Sequence, residues 1–153
     1  MEAERSMTRL ASTSFAAFLA LTVPLTLSGA QAAGESMTYK AALAGGSEVP
    51  ATESKGTGVV TASYDPATKR LSWNGTYSGL TGPVTAAHFH GPAPAGANAG
   101  VLVPVTATSS PFSGEATLDD AKAADLEAGK LYFNIHTAAN PKGEIRGQVE
   151  RAR

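Results

Sequence analysis

Short segments of alternating apolar and polar residues, separated by turn-forming residues, constrain the fold of this chain most strongly. Successive side chains of a β-strand point to opposite faces, so such alternation predicts strands with one buried face. Turns rich in Gly, Pro, Asn and Asp separate these segments. The predicted strands are residues 37–43, 58–64, 71–77, 84–90, 101–107, 112–118, 131–137 and 144–150.

One short helix and one long loop interrupt this pattern. Asp119 or Asp120 can cap the start of a helix, residues 121–128 favour it, and Gly129 can end it. Residues 91–100 are dense in Gly and Pro and therefore predict a long loop. We expect an all-β fold, an antiparallel β-sandwich or Greek-key-like barrel with one short helix.

The N-terminal segment is typical of a secretory signal peptide. Two arginines precede an apolar run over residues 10–27, and small residues around Ala30 and Ala32 form a cleavage site of the A-x-A type. Pro24 interrupts the run, which argues against a membrane anchor, and no later stretch is apolar enough to span a bilayer. We predict a signal peptide over residues 1–32, a β domain over residues 33–153, and a secreted or periplasmic location.

The chain contains no cysteine, which limits its chemistry. Cysteine-ligated zinc, iron–sulfur clusters, blue copper and thiol catalysis are all excluded. The predicted mature segment has 10 Lys and Arg against 11 Asp and Glu, with no basic stripe for nucleic acid. The remaining candidates for binding a transition metal are the three histidines, His88, His90 and His136.

Strand alternation predicts that all three histidines lie on the polar faces of their strands. His88 and His90 flank Phe89, so both point away from the face on which Phe89 packs. His136 likewise lies opposite the apolar residues of its strand. A His-x-His pair, with Cα atoms about 6.6 Å apart, can share one ion at about 2.0–2.1 Å per bond. The polar residues on the face of His136 are Tyr132 and Asn134.

The last predicted hairpin adds charged neighbours to this face. Ile145 alternates as a core residue, which leaves Glu144 and Arg146 on the face of the histidines. Glu144 opposite His136 would accept an imidazole N–H or act as a ligand, and Arg146 would supply a positive charge suited to an anion. An ordinary solvated charge pair is the alternative. We predict that Glu144, Arg146 and Asn134 surround the metal ligands.

Several segments resemble the motifs of the CHRD (chordin-type) domain. Residues 79–93, Gly-Leu-Thr-Gly-Pro-Val-Thr-Ala-Ala-His-Phe-His-Gly-Pro-Ala, look like its central motif. Residues 131–137 and 140–149 are similar to its C-terminal motif, and Ser-Glu-Val-Pro at 47–50 is similar to its opening segment. The family often has a second proline there, where this chain has Ala51. The resemblance implies a secreted all-β domain and implies no settled activity.

A weaker, local resemblance is to the copper/zinc superoxide dismutases. These proteins also have a Gly-Leu turn before a strand with His-x-His, which Gly79-Leu80 and the two histidines resemble, and a C-terminal segment similar to residues 143–146. Their disulfide cannot form without cysteine, and three histidines are too few for their two-metal site with a bridging histidine. The resemblance implies at most one mononuclear site.

Three functions remain open at this point. The first is a secreted or periplasmic metal-binding domain that holds a single Cu(II) or Zn(II) ion through the three histidines. The second is an extracellular module without metal, which binds a protein or glycan through residues 91–100. The third is a mononuclear copper oxidoreductase acting on superoxide. We expect a metal ion and an extracellular or periplasmic protein as partners, no nucleic acid, and no membrane span after signal cleavage. We expect the domain to bind its partners rather than to act as an enzyme.

Overall fold

The computed structural model describes residues 34–107 and 109–153, and the predicted signal peptide lies outside this part of the chain. One helix, α1, spans Asp120–Glu127, and a single 3-10 turn spans Gly45–Ser47 in the described residues. The strands are β1 (Met37–Ala44), β2 (Thr57–Asp65), β3 (Arg70–Ser78), β4 (Val84–His90), β5 (Val101–Val105), β6 (Phe112–Thr117), β7 (Tyr132–Thr137), β8 (Ile145–Gln148) and β9 (Glu150–Arg151).

All strand pairs are antiparallel and belong to one sheet. The order of the strands is β5-β4-β7-β8-β1-β2-β3-β6, and β9 also pairs with β1. Neighbours such as β4 and β7 are far apart in sequence, so the chain crosses between the two halves of the sheet. The sheet curls into a nearly closed barrel or sandwich. The prediction of an antiparallel all-β fold with one short helix is therefore confirmed.

The core lies between the two halves of this curled sheet. Phe89 and Phe133, on neighbouring strands β4 and β7, are fully buried, and their ring centroids are 4.9 Å apart. Trp73 on β3 meets Phe89 at 5.2 Å, and Phe112 on β6 stacks on Phe133 at 5.7 Å. These contacts join opposite ends of the strand order. Burying each large apolar side chain stabilises the fold by about 1.5–3 kcal/mol.

The helix α1 has the predicted cap and the predicted glycine after it, and it begins and ends one residue earlier than the predicted residues 121–128. The side chain of Asp119 caps it by accepting the N–H of Lys122 at 2.9 Å. Gly129 follows the helix with a φ of +68°, a left-handed conformation that glycine adopts without strain. Ala123 and Leu126 pack into the core. None of the helices in the described residues is long and apolar enough to cross a membrane.

The two faces of β4 and β7 are the ones that the alternation predicts. Phe89 is fully buried in the core, whereas His88 and His136 are half-buried on the other face. In the register of the two strands, His88 lies opposite Asn134, and His136 lies opposite Ala86. This register places His88 and His136 on the same face of the sheet. A slip of one residue would turn the side chains of one strand to the opposite face and separate the two histidines.

Candidate metal centre

The three histidines form one compact cluster on the outer face of β4 and β7. One ring nitrogen from each of them lies within 4.8 Å of the other two. The closest measured pair is His88 Nδ1 and His136 Nε2, which are 3.1 Å apart. Two nitrogens bound to one ion at about 2.0–2.1 Å lie at most about 4.2 Å from each other. That pair is within the limit. The bound of 4.8 Å on the cluster as a whole lies above it, so the rings have to move slightly closer together to share one ion.

His90 is the most buried histidine and has one nitrogen free for a ligand. Its side chain is 8 % exposed, and its Nδ1 lies 3.0 Å from the carbonyl oxygen of Ala99. A carbonyl can only accept, so the proton is assigned to Nδ1 and the lone pair to Nε2. This Nε2 is buried without a hydrogen-bond partner in the described residues. Asn134 lies beside this ring, and its Oδ1 also has no hydrogen-bond partner in the described residues. Because Nδ1 is bound to Ala99, Nε2 is the nitrogen of His90 that can take a ligand.

His136 is oriented in a similar way from the next strand, except that its Nε2 has His88 as a hydrogen-bond partner. Its Nδ1 lies 3.0 Å from the carbonyl oxygen of Pro141 in the turn before β8, which again assigns the proton to Nδ1 and leaves Nε2 as the acceptor. His88 turns its Nδ1 toward this Nε2. Metal-binding histidines usually donate one N–H to a carbonyl or carboxylate, which fixes the ring while the other nitrogen binds the ion.

Burial sets the protonation state of two of these imidazoles. It lowers the pKa of His88, and the nearby His136 and His90 lower it further. Burial is also the largest cause that lowers the pKa of His90, although the hydrogen bond to Ala99 opposes it. Both rings are therefore neutral at neutral pH, which is the form that binds metal ions.

An open groove leads from solvent to His88. It has a volume of about 360 Å³ and is lined by residues of β4, of β5 and of the segment after β5, among them Ala86, Pro104 and Thr106. A solvated ion or a small ligand can therefore reach the imidazole of His88 without unfolding of the sheet.

The carboxylate of Glu144, which was expected to accept from His136 or bind the ion, makes its hydrogen bonds to other residues. Its carboxylate accepts hydrogen bonds from the hydroxyls of Ser54 at 2.6 Å, Thr81 at 2.8 Å and Thr137 at 2.5 Å, and from the N–H of Thr81 at 2.7 Å. Glu144 precedes β8, so strand alternation does not govern its side chain. It therefore joins three loops, and His136 uses a backbone carbonyl as its acceptor.

Arg146 lies beside the histidine cluster, but its guanidinium is turned into the protein. The side chain is 2 % exposed, and its Cζ lies 3.4 Å from the centroid of the Tyr132 ring. Its N–H groups donate to Asn98 Oδ1 at 2.9 Å and to the carbonyl of Ala97. The guanidinium, which was expected to face an anion, is therefore bound to groups of the protein instead.

Asn134 connects the histidines to a buried carboxyl that the sequence did not indicate. It pairs in register with His88 on one side and Arg146 on the other, and it is 3 % exposed. Its side chain lies next to Glu48, which is itself buried, and both approach Gly143. Glu48 follows the 3-10 turn after β1, outside any strand, so no alternation pattern could have identified it.

Glu48→Gln is expected to remove a stability penalty at alkaline pH. Burial, opposed by the charge of Arg146, raises the pKa of Glu48 from 4.5 to about 7, and Oε1 has no hydrogen-bond partner in the described residues. A carboxyl with a raised pKa in the folded state makes stability fall as pH rises from about 4.5 through 7. The variant should match the wild type near pH 5 and be more stable by up to about 3 kcal/mol at pH 8.

Urea unfolding at both pH values, with a chelator present, measures this difference. The histidines titrate in both proteins, so their contribution cancels when the two are compared. An equal loss of stability in the variant at pH 5 and pH 8 would mean that Glu48 is charged and paired with Arg146.

Comparison with known proteins agrees with the sequence motifs. The family model of the CHRD domain matches residues 39–149, which include all three histidines and the strands β2 to β8. Neither the curated proteins nor the solved structures that were searched gave a match to the chain. With most of its length covered by the family model, the chain belongs to the CHRD domain family.

Proposed function

We propose that this domain binds a single Cu(II) or Zn(II) ion through His88, His90 and His136. The observation that carries the proposal is the state of the ring nitrogens. His90 and His136 each have Nδ1 bound to a backbone carbonyl, and the Nε2 of His90 has no hydrogen-bond partner in the described residues. The Nε2 of His136 accepts from His88 Nδ1 while no ion is bound, and an ion would replace that hydrogen bond. His88 adds a third imidazole beside them. Imidazole suits both ions, and three protein ligands leave a fourth position for water or an exchangeable ligand.

The compactness of the cluster favours this function over a binding module without metal. Such a module is compatible with histidines too far apart for one ion, whereas these ring nitrogens lie within 4.8 Å of one another. An oxidoreductase acting on superoxide depended on Arg146 as an attractor of anions. The buried, hydrogen-bonded guanidinium gives that role no support. We therefore propose a binding protein.

A secreted or periplasmic location is part of the same proposal. It is supported by the signal-peptide pattern over residues 1–32 and by membership of the CHRD family, whose domains are typically extracellular. Outside the cytosol, a site made only of imidazoles also remains intact under oxidising conditions, because it contains no thiol to oxidise.

Calorimetric titration of the purified protein with Zn²⁺ or Cu²⁺ tests the proposal. The wild type should bind one ion per chain, and the double variant His88→Ala/His90→Ala should lose at least about 100-fold in affinity. Thr85→Ala, which changes an exposed residue of the same strand, is the matched control and should bind like the wild type. Wild-type affinity in the double variant would contradict the proposal.

A further inference from the structure

The loop between β4 and β5 is fastened to the face that carries the histidines. Arg146 donates to the carbonyl of Ala97 and to Asn98 Oδ1. The hydroxyl of Tyr132 lies 3.2 Å from both the carbonyl oxygen and the N–H of Ala99. Three successive loop residues are thus bound by two side chains of the sheet. The carbonyl of Ala99 is also the group that holds the Nδ1 proton of His90.

The ring of Tyr132 connects Arg146 to His90. β7 lies between β4 and β8 in the sheet, and Tyr132 is directly opposite His90 in register. The imidazole and phenol planes are parallel within 2°, with centroids 4.8 Å apart, and the guanidinium carbon lies 3.4 Å from the centroid of the same phenol ring. Tyr132 is 3 % exposed and Arg146 is 2 % exposed, so the packing fixes the plane of each group.

We propose that Arg146 is a positioning residue that orients His90 as a metal ligand. The inference rests on the proposed function. Through the ring of Tyr132, Arg146 sets the plane of the imidazole. Through the loop, it sets the position of the Ala99 carbonyl, which keeps the proton on Nδ1 and leaves Nε2 for the ion.

The shape of the guanidinium explains why arginine suits this position. A flat face stacks on the phenol ring while the edge N–H groups reach two loop oxygens, and lysine, with one rounded ammonium group, cannot do both. The hydrogen bonds of Arg146 go to a carbonyl and an amide oxygen. The buried guanidinium therefore holds the loop and the Tyr132 ring in place, and Tyr132 in turn contacts His90.

Arg146→Lys tests the inference with Cu²⁺ as the probe. We expect the copper affinity to fall by about 10–100-fold, and the EPR spectrum of the bound copper to change its hyperfine splitting, while circular dichroism shows an unchanged fold. Gln148→Ala is the matched control on the same strand. Its amide donates to the carbonyl of Ala93 in the same loop and to that of Gly129 after α1, away from His90, so its copper spectrum should match that of the wild type.

A measurement without metal separates this inference from the proposed function. In the ¹⁵N-labelled wild type, NMR should show the His90 proton on Nδ1, and in Arg146→Lys a mixture of the two tautomers. If the tautomers differ as expected but neither protein binds an ion, Arg146 positions His90 and the metal function is wrong. An unchanged tautomer and copper spectrum in Arg146→Lys would overturn the inference.

Tyr132→Leu provides the same test if the arginine variant does not fold. It removes the flat ring and the hydroxyl between Arg146 and His90 and keeps an apolar side chain in the buried position. The tautomer and the copper spectrum of His90 should change as in Arg146→Lys. Wild-type values of both in this variant would overturn the inference.

Discussion

Glu144→Ala is expected to destabilise the domain by about 3 kcal/mol or more. The fully buried carboxylate accepts hydrogen bonds from three hydroxyls and one backbone N–H, contributed by Ser54, Thr81 and Thr137. Its removal leaves the buried hydroxyl of Thr137 without an acceptor, which costs about 1–3 kcal/mol, and also removes the charged hydrogen bonds of half-buried Ser54 and exposed Thr81. Urea unfolding followed by the fluorescence of Trp73, the single tryptophan of the chain, measures the loss.

The pH dependence of stability should report the same carboxylate. Burial alone would raise the pKa of Glu144, but the hydrogen bonds from Ser54, Thr137 and Thr81 outweigh burial and lower the pKa from 4.5 to about 2. A lowered pKa in the folded state gives stability that is present above pH 4.5 and is lost as the pH falls toward 2. This pKa difference corresponds to about 3 kcal/mol. The variant Glu144→Gln should lose much less stability over that range.

Glu115→Gln is the matched control for these measurements. Glu115 pairs with Arg70 on the surface, where the two side chains are 61 % and 58 % exposed. Exposed ion pairs contribute about 0–1 kcal/mol, so this variant should stay close to the wild type. If Glu144→Ala changes the free energy of unfolding as little as Glu115→Gln does, the carboxylate does not hold the three loops together.

Metal loading should stabilise the folded protein, and a chelator should reverse the effect. An ion that binds only the folded state adds about 2.7 kcal/mol to the free energy of unfolding when its free concentration is 100 times the dissociation constant. Thermal unfolding with Zn²⁺ and then with excess chelator measures this difference. The unfolding midpoint of the loaded protein should be several degrees higher.

The same stabilisation should weaken in acid, because protons compete with the metal for the imidazoles. Burial lowers the pKa of His88 and His90, so loading should persist to a pH below 6.5, the ordinary value for histidine. The double variant His88→Ala/His90→Ala should have the same midpoint with and without the ion. An equal shift in that variant would mean that the ion binds at another site.

The strands could be predicted from sequence because alternation and turn residues agree along most of the chain. β4 has the predicted bounds, residues 84–90, and β7 begins one residue later than expected. The last segment, predicted as one strand over residues 144–150, instead forms β8 and β9 with Val149 between them. Val149 donates its N–H to the carbonyl of Leu131, and the residues after it, β9, pair with β1. The segment therefore changes its partner strand at Val149, which divides it into two strands.

The part of the candidate site that lies on strands could be predicted, because side chains alternate between the two faces of a strand. This alternation predicted that the three histidines share one face. Arg146 also lies beside them, in contact with Tyr132. The groups that orient the imidazoles are the carbonyls of Ala99 and Pro141, which belong to loops and have no side-chain signal. Loop paths depend on distant contacts, so sequence reasoning could not locate these acceptors.

The proline on β5 bears on whether this end of the sheet can pair with a strand of another molecule. β5 is one end of the strand order, and Pro104 lies opposite His88 in its pairing with β4. An edge strand with free N–H groups can pair with another chain and start aggregation, and proline removes one of those donors. At Pro104, the edge nearest the histidines therefore offers no N–H to which another strand could pair.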